Sequence, residues 1–171
     1  MKSKNVDITI LKSDVYHKVR RHSSYLGGKD IYTGNASDYD RISAAEADKV
    51  MLDQLWEKVF PLLVAQVQRY LFGSEQVSKN ATGAKLTLTM PMAFNVTNNK
   101  PLLEDEFAAY LSTAILIKWL EIANADNDVK QLTEEMKDHT IAIKDILARR
   151  DMPVRPVFDL PTGADITFDS E

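Results

Sequence analysis

From Lys85 to Val96 apolar side chains occupy every even position (Leu86, Leu88, Met90, Met92, Phe94 and Val96), with mostly polar or small residues between them. That is the period of a β-strand, whose successive side chains alternate between two faces. A lone strand leaves alternate backbone groups unsatisfied, so the segment predicts a pairing partner. Within the chain the candidates are two short alternations, Asp7-Ile8-Thr9-Ile10 and Asp165-Ile166-Thr167-Phe168; the other candidate is a strand of another chain. Pro91 falls mid-segment and cannot donate to a ladder, which predicts an edge strand, a bend or a bulge. Leu86, Leu88, Met90, Met92 and Phe94 then either cover a helical core or face a partner. One strand can do both, by packing a face inward while its edge pairs outward.

The remaining apolar spacing up to residue 150 is mainly helical. Ser13-Asp14 can cap a short helix running to about Ser24, with Val15 and Val19 inside and Gly27-Gly28 as its stop. Lys29 to Ile42 has no sustained apolar period and reads as a loop. Ser43-Ala44-Ala45-Glu46 matches a capping box opening a long helix to Phe72, interrupted at Pro61, where a kink or a junction of two helices is expected. Asn98-Asn99 predicts a turn, and Pro101 suits the first turn of the next helix. From Phe107 to Ala123 apolar residues cover nearly all faces, which predicts the central helix. After a break at Asn124 to Asp128, a stripe of Val129, Leu132, Met136, Ile143, Ile146 and Leu147 marks an amphipathic helix to about Arg150. The fold expected is mainly α: a four- to five-helix bundle in residues 1–150 with one extended β segment or small β element at 85–96. Residues 151–171, with Pro153, Pro156 and Pro161, are expected as an extended tail whose Phe158, Ile166 and Phe168 are apolar enough to dock on a surface.

At 171 residues with 44% apolar and 27% charged, the chain can bury one substantial core. The absence of cysteine excludes disulfides and thiolate metal sites. No apolar run resembles a signal peptide or is long enough to span a membrane, so cytoplasmic synthesis and no membrane partner are expected. Net charge is −4 but unevenly spread. Residues 1–29 hold seven Lys/Arg against two Asp, whereas residues 151–171 hold one Arg against five acids. Lys18, Arg20 and Arg21 are the candidate basic contact. Nucleic acid is a conceivable partner for them, but they lack the interleaved aromatics of a stacking platform, and an acidic protein surface serves equally.

No catalytic signature emerges. His17 and His22 are five apart and miss the spacing of a helical zinc pair, and His139 sits alone on the last helix. Gly27-Gly28-Lys29 lacks the spacing and leading strand of a phosphate loop, and Asp38-Tyr39-Asp40 and Asp126-Asn127-Asp128 do not continue into an EF-hand loop. Neither a cofactor nor a metal is implied. Trp56 and Trp119 lie in phase with apolar neighbours, as core residues or interface anchors.

Three stretches, Asp14 to Val19, Asp48 to Trp56 and Phe107 to Leu116, together with the order of elements over residues 8–150, resemble the head–tail connector or adaptor proteins of tailed bacteriophages and prophages. The resemblance implies a small helical, non-enzymatic structural subunit of the virion that assembles into a ring with portal and neck proteins. In such proteins the extended segment and tail contact neighbouring subunits, which would give residues 85–96 and 152–171 those roles here. Opposite charge at the two chain ends suits head-to-tail contacts of this kind. The alternative is a helical adaptor or regulatory protein that binds one partner by strand addition.

Overall fold

The computed structural model describes residues 3–32, 42–72, 76–123 and 129–150. Strand β1 (Ser3–Leu11) runs directly into helix α1 (Lys12–Tyr32). A 3₁₀ turn (Glu46–Asp48) leads into α2 (Lys49–Val67), and a second (Gln68–Tyr70) follows it. The hairpin β2 (Val77–Asn80) and β3 (Gly83–Pro91) comes next, then α3 (Val96–Ile122) and α4 (Val129–Ala148). The described residues are thus mainly helical, with four α-helices and a small three-stranded antiparallel sheet.

The partner of the alternating segment is the start of the chain. β3 lies in the middle of the order β1-β3-β2, and its register with β1 runs from Ser3↔Pro91 to Leu11↔Gly83, with Ile8 opposite Leu86. This places Val6, Ile8 and Ile10 on the same face as Leu86, Leu88 and Met90, all at most 2% exposed. The other face is polar and cross-linked by side chains. Thr87 donates to Asp7 at 2.7 Å, Lys85 pairs with Asp7 at 2.8 Å, and Thr89 donates to Asn5 at 3.3 Å. The sheet is therefore one-sided, apolar inward and polar outward.

This arrangement corrects the expectation that β3 is an edge. Lys12 N–H donates to the Thr82 carbonyl at 2.9 Å, so the even-numbered groups of β1 face β3. By the same alternation the Pro91 nitrogen faces away from β1, and β2 stops at Val77, opposite Leu86. The missing donor therefore falls where no ladder bond is required. β2 itself escapes sequence reading, because Val77 is its one apolar residue. Its two-residue turn is held by the Asn80 side-chain oxygen, which accepts from the Thr82 and Gly83 N–H groups at 2.9 and 2.8 Å. Gly83 is required there, since a Cβ at that position would overlap the Ile10 carbonyl oxygen.

Several helix boundaries also move. α1 continues through Gly27-Gly28, where packing outweighs a cost of about 1 kcal/mol per glycine. Ser43 shares a hydrogen bond with Ser24 at 3.0 Å instead of capping a helix, and it is Asp48 that accepts the Ala45 N–H, at 2.7 Å. α2 runs as one helix past Pro61, which sits on its exposed side, because Trp56, Phe60 and Leu63 anchor the opposite face in the core. The Asn98-Asn99 turn is replaced by the first turn of α3. Asn95 caps that turn by accepting from the Asn98 N–H at 3.0 Å, and Pro101 lies one turn further in. The Phe107 to Ala123 stretch is central as expected, since α3 packs against α1, α2, α4 and β1. Trp56 is fully buried, stacked on Phe60 and met edge-on by Tyr16. Trp119 donates its indole N–H to the Ile42 carbonyl at 2.7 Å. Most of the loop at 29–42 and the tail 151–171 lie outside the described residues.

The inner face of β3 sets the sharpest contrast for mutation. Leu88→Ala should lower the unfolding free energy by about 2–5 kcal/mol in urea denaturation, because Leu88 is fully buried. Met92→Ala, at a side chain 55% exposed, should change it by less than about 0.5 kcal/mol.

Candidate interaction site

Helix α1 turns Val15, Val19, Ser23 and Leu26 inward, which leaves its polar residues on two flanks. Lys18, Arg21, His22 and Tyr25 follow one another at spacings of three, one and three, and line a cleft of about 440 Å³ between α1, α3 and α4. Lys12, Tyr16 and Arg20, four apart, line a second cleft of about 570 Å³ toward α2. The three cations read from the sequence as one basic contact are thus divided, Lys18 and Arg21 on one flank and Arg20 on the other.

The second cleft is built around an engaged carboxylate. Asp53 accepts from the Tyr16 hydroxyl at 2.6 Å and from the Lys12 ammonium at 2.9 Å, and Arg20 pairs with Glu46. The Tyr16 and Lys12 hydrogen bonds hold the Asp53 carboxyl below the usual carboxylate range. Burial, reinforced by Asp53, pushes the Tyr16 phenol well up. Lys12 also lies 5.6 Å from the Trp56 ring centroid, so this network ties α1 to α2 across the aromatic core.

The first cleft differs in having unengaged polar groups. Among the described residues Lys18 and Arg21 make no ion pair or hydrogen bond, and both are exposed. Ser112 and Thr113 form the cleft floor, and the Ser112 hydroxyl donates back to the Ala109 carbonyl at 2.8 Å. Among the described residues the buried side-chain polar atoms without a hydrogen-bond partner are Arg20 Nε and Trp56 Nε1. On the far wall His139 is held by Glu106, Nδ1 to Oε2 at 2.8 Å. The hydroxyls of Ser112 and Thr113, set within the apolar run from Phe107 to Ile117, were the available sequence signal for this site.

The outer edge of β1 offers a different surface. Its odd-numbered backbone groups face away from β3, and Thr9 N–H donates to the Glu104 carboxylate of α3 at 2.9 Å. Toward Ser3, the backbone of Asn5 and Asp7 presents the remaining donors and acceptors of that edge. The residues expected to form an interface are distributed otherwise. Leu86, Leu88, Met90 and Phe94 are fully buried and belong to the core, because β1 and the helices cover them. Met92 alone of that set is exposed, and Phe158, Ile166 and Phe168 lie outside the described residues. No described helix is long and apolar enough to cross a membrane, and no cluster of three or more His, Cys, Asp or Glu among the described residues could hold a metal ion.

The Asp53 network carries a pH signature. A carboxyl depressed in the folded state contributes stability above its unfolded pKa, near pH 4, and that contribution is lost as pH falls through the folded value. Asp53→Ala should cost about 1–3 kcal/mol at neutral pH by leaving the Tyr16 hydroxyl unpaired. Asp53→Asn should cost less, since an amide oxygen can still accept, and should flatten the acid limb of stability measured by denaturation from pH 7 to about pH 2.

No protein-family model, curated protein or solved structure matches the chain.

Proposed function

We propose that this chain is a non-enzymatic assembly subunit, a head–tail connector or adaptor of the kind it resembles in tailed bacteriophages and prophages. Its copies join each other, or portal and neck proteins, by strand addition. The observation that carries the reading is the outer edge of β1, whose outward N–H and C=O groups at Ser3, Asn5 and Asp7 lie beyond the one closure found among the described residues, which Glu104 makes at Thr9. An incoming strand meets a surface whose charges are already matched, since Asp7 is shared by Lys85 and Thr87 and Asn5 accepts from Thr89. The side chains best suited to acid–base chemistry serve structural contacts, Asp53 with Tyr16 and Lys12, and His139 with Glu106.

Asn5→Pro is the discriminating substitution, because it deletes one outward donor and leaves the β1–β3 ladder bonds, which come from even positions, in place. Asn5→Ala removes only the side chain. Over a range of concentrations, sedimentation should show self-association of the wild-type chain and of Asn5→Ala, and a monomer for Asn5→Pro with unchanged helix content. Equal association of all three would remove the β1 edge as the joint. A wild-type chain that stays monomeric throughout would favour an adaptor that adds a strand from an unlike partner.

A further inference from the structure

We propose that the cleft between α1, α3 and α4 binds a small organic anion, a compact apolar body carrying a single carboxylate, sulfonate or phosphate group. The space arises from residue size. α1 and α4 each pack on α3, and between them α3 presents Ala109, Ser112, Thr113 and Leu116, mostly small side chains at helical spacing. They leave about 440 Å³ open between the two flanking helices, a volume within the range of small-molecule sites.

The lining divides its chemistry among three surfaces. On the floor the Ser112 hydroxyl is satisfied by the Ala109 carbonyl, and Val19 and Leu116 are buried beneath, so this surface is backed by the apolar core. Half-buried Ala109, the aliphatic stem of Lys18 and the Tyr25 ring, 71% exposed at the mouth, offer apolar contact above it. The α1 wall is cationic. Lys18 and Arg21 lie one turn apart, neither makes an ion pair or hydrogen bond among the described residues, and His22 stands beside them. The α4 wall carries the opposite sign, with Glu135 on it and His139 Nδ1 held by the Glu106 carboxylate. An anionic head is therefore attracted to α1 and repelled from α4, which orients the ligand across the cleft.

The other flank of α1 shows why this cleft takes the anion. There Lys12 pairs with Asp53 and Arg20 with Glu46, so an anion would have to displace a carboxylate that the fold supplies. Lys18 and Arg21 require no such displacement. A bare inorganic anion would meet only exposed cations, whose attraction water and salt screen, and the apolar body adds the contact that holds an organic one. Two cations facing Glu135 are too few to hold a polyanionic nucleic-acid backbone.

The test titrates the full-length chain with anilinonaphthalene sulfonate, an aromatic monoanion that fluoresces on leaving water, and with uncharged phenylnaphthylamine, which has the same body. The sulfonate should bind at one site per chain. Arg21→Glu should weaken it roughly five- to tenfold while moving the uncharged dye by less than about twofold. Ala109→Phe, which fills the floor, should weaken both dyes. Glu135→Gln should tighten the sulfonate roughly two- to fivefold and leave the uncharged dye unchanged, a selectivity that a loosened fold does not give. Lys49→Glu, on the other flank of α1, should change neither. Circular dichroism checks that each variant keeps its helix content. Absence of sulfonate binding would overturn the proposal, as would binding indifferent to both Arg21→Glu and Ala109→Phe. At constant ionic strength inorganic phosphate should not displace the sulfonate, and displacement would overturn the need for an apolar body. Phosphatidylglycerol vesicles separate a free ligand from a lipid headgroup. The chain should stay in the supernatant, and sedimentation with the vesicles that Arg21→Glu abolishes would assign these cations to a membrane surface and overturn the site. The β1 edge enters none of these measurements, so the two proposals fail separately.

Discussion

The pairing of β1 with β3 is the constraint on which the rest of the molecule depends. It joins the first residues of the chain to a segment some eighty positions later, in a register of nine opposed residues. A slip of one residue would rotate Val6, Ile8 and Ile10 to the solvent face and put Asn5 and Asp7 into the core. The correct register is therefore strongly favoured by burial alone. It is reinforced outside by the Asp7, Lys85 and Thr87 contacts, which form only when Asp7 lies opposite Thr87. Because β1 passes into α1 without a connecting loop, that register also sets where α1 starts. α1 then lies against α3, and the polar clefts on its two flanks follow from the placement of one strand.

What could be read in advance follows from how strong each periodic signal is. α3 was visible because a helix apolar on every side has few alternatives to the centre, and α4 because its stripe is clean over twenty residues. The Ile8–Ile10 alternation was visible as a partner for the central strand, though four residues could not establish that the pairing is internal. β2 was invisible, because an exposed edge strand of Val77-Ser78-Lys79-Asn80 needs no apolar face and is held by its turn. The expectation of an edge, a bend or a bulge in β3 rests on Pro91, and the structure shows none of these to be needed. A proline excludes a central strand only where its nitrogen faces a neighbour, and at the last residue of β3 it does not. Gly27-Gly28 misled for a related reason, since local cost is a weak guide where a helix is already buried against two neighbours.

The candidate site was half legible. That α1 is basic is a matter of counting. The separation of Arg20 from Lys18 and Arg21 was also available from helical spacing, since Arg20 continues the row of Lys12 and Tyr16 while Arg21 lies one turn from Lys18. The sequence could not supply what each flank faces. Toward α2 the cations meet Asp53 and Glu46 and are neutralised. Toward α3 and α4 they share a cleft with Ser112, Thr113, Glu135 and His139, the last already engaged by Glu106. Two flanks of similar composition thus differ in character, one fastening α1 to α2 and the other retaining unused charge.

The same distinction between engaged and unengaged groups orders the surface of the sheet. Glu104 reaches from α3 to close the edge of β1 at Thr9, which is the end nearest the helices, where an added strand would collide with α3. Toward Ser3 the odd-numbered backbone groups lie beyond that closure. An edge guarded along its whole length would show charges or bulges throughout. Here the guard is confined to one end, and the polar side chains at Asn5 and Asp7 point into the ladder with β3 instead of across the edge. A strand added to such an edge would be confined to the part toward Ser3, which would limit its length.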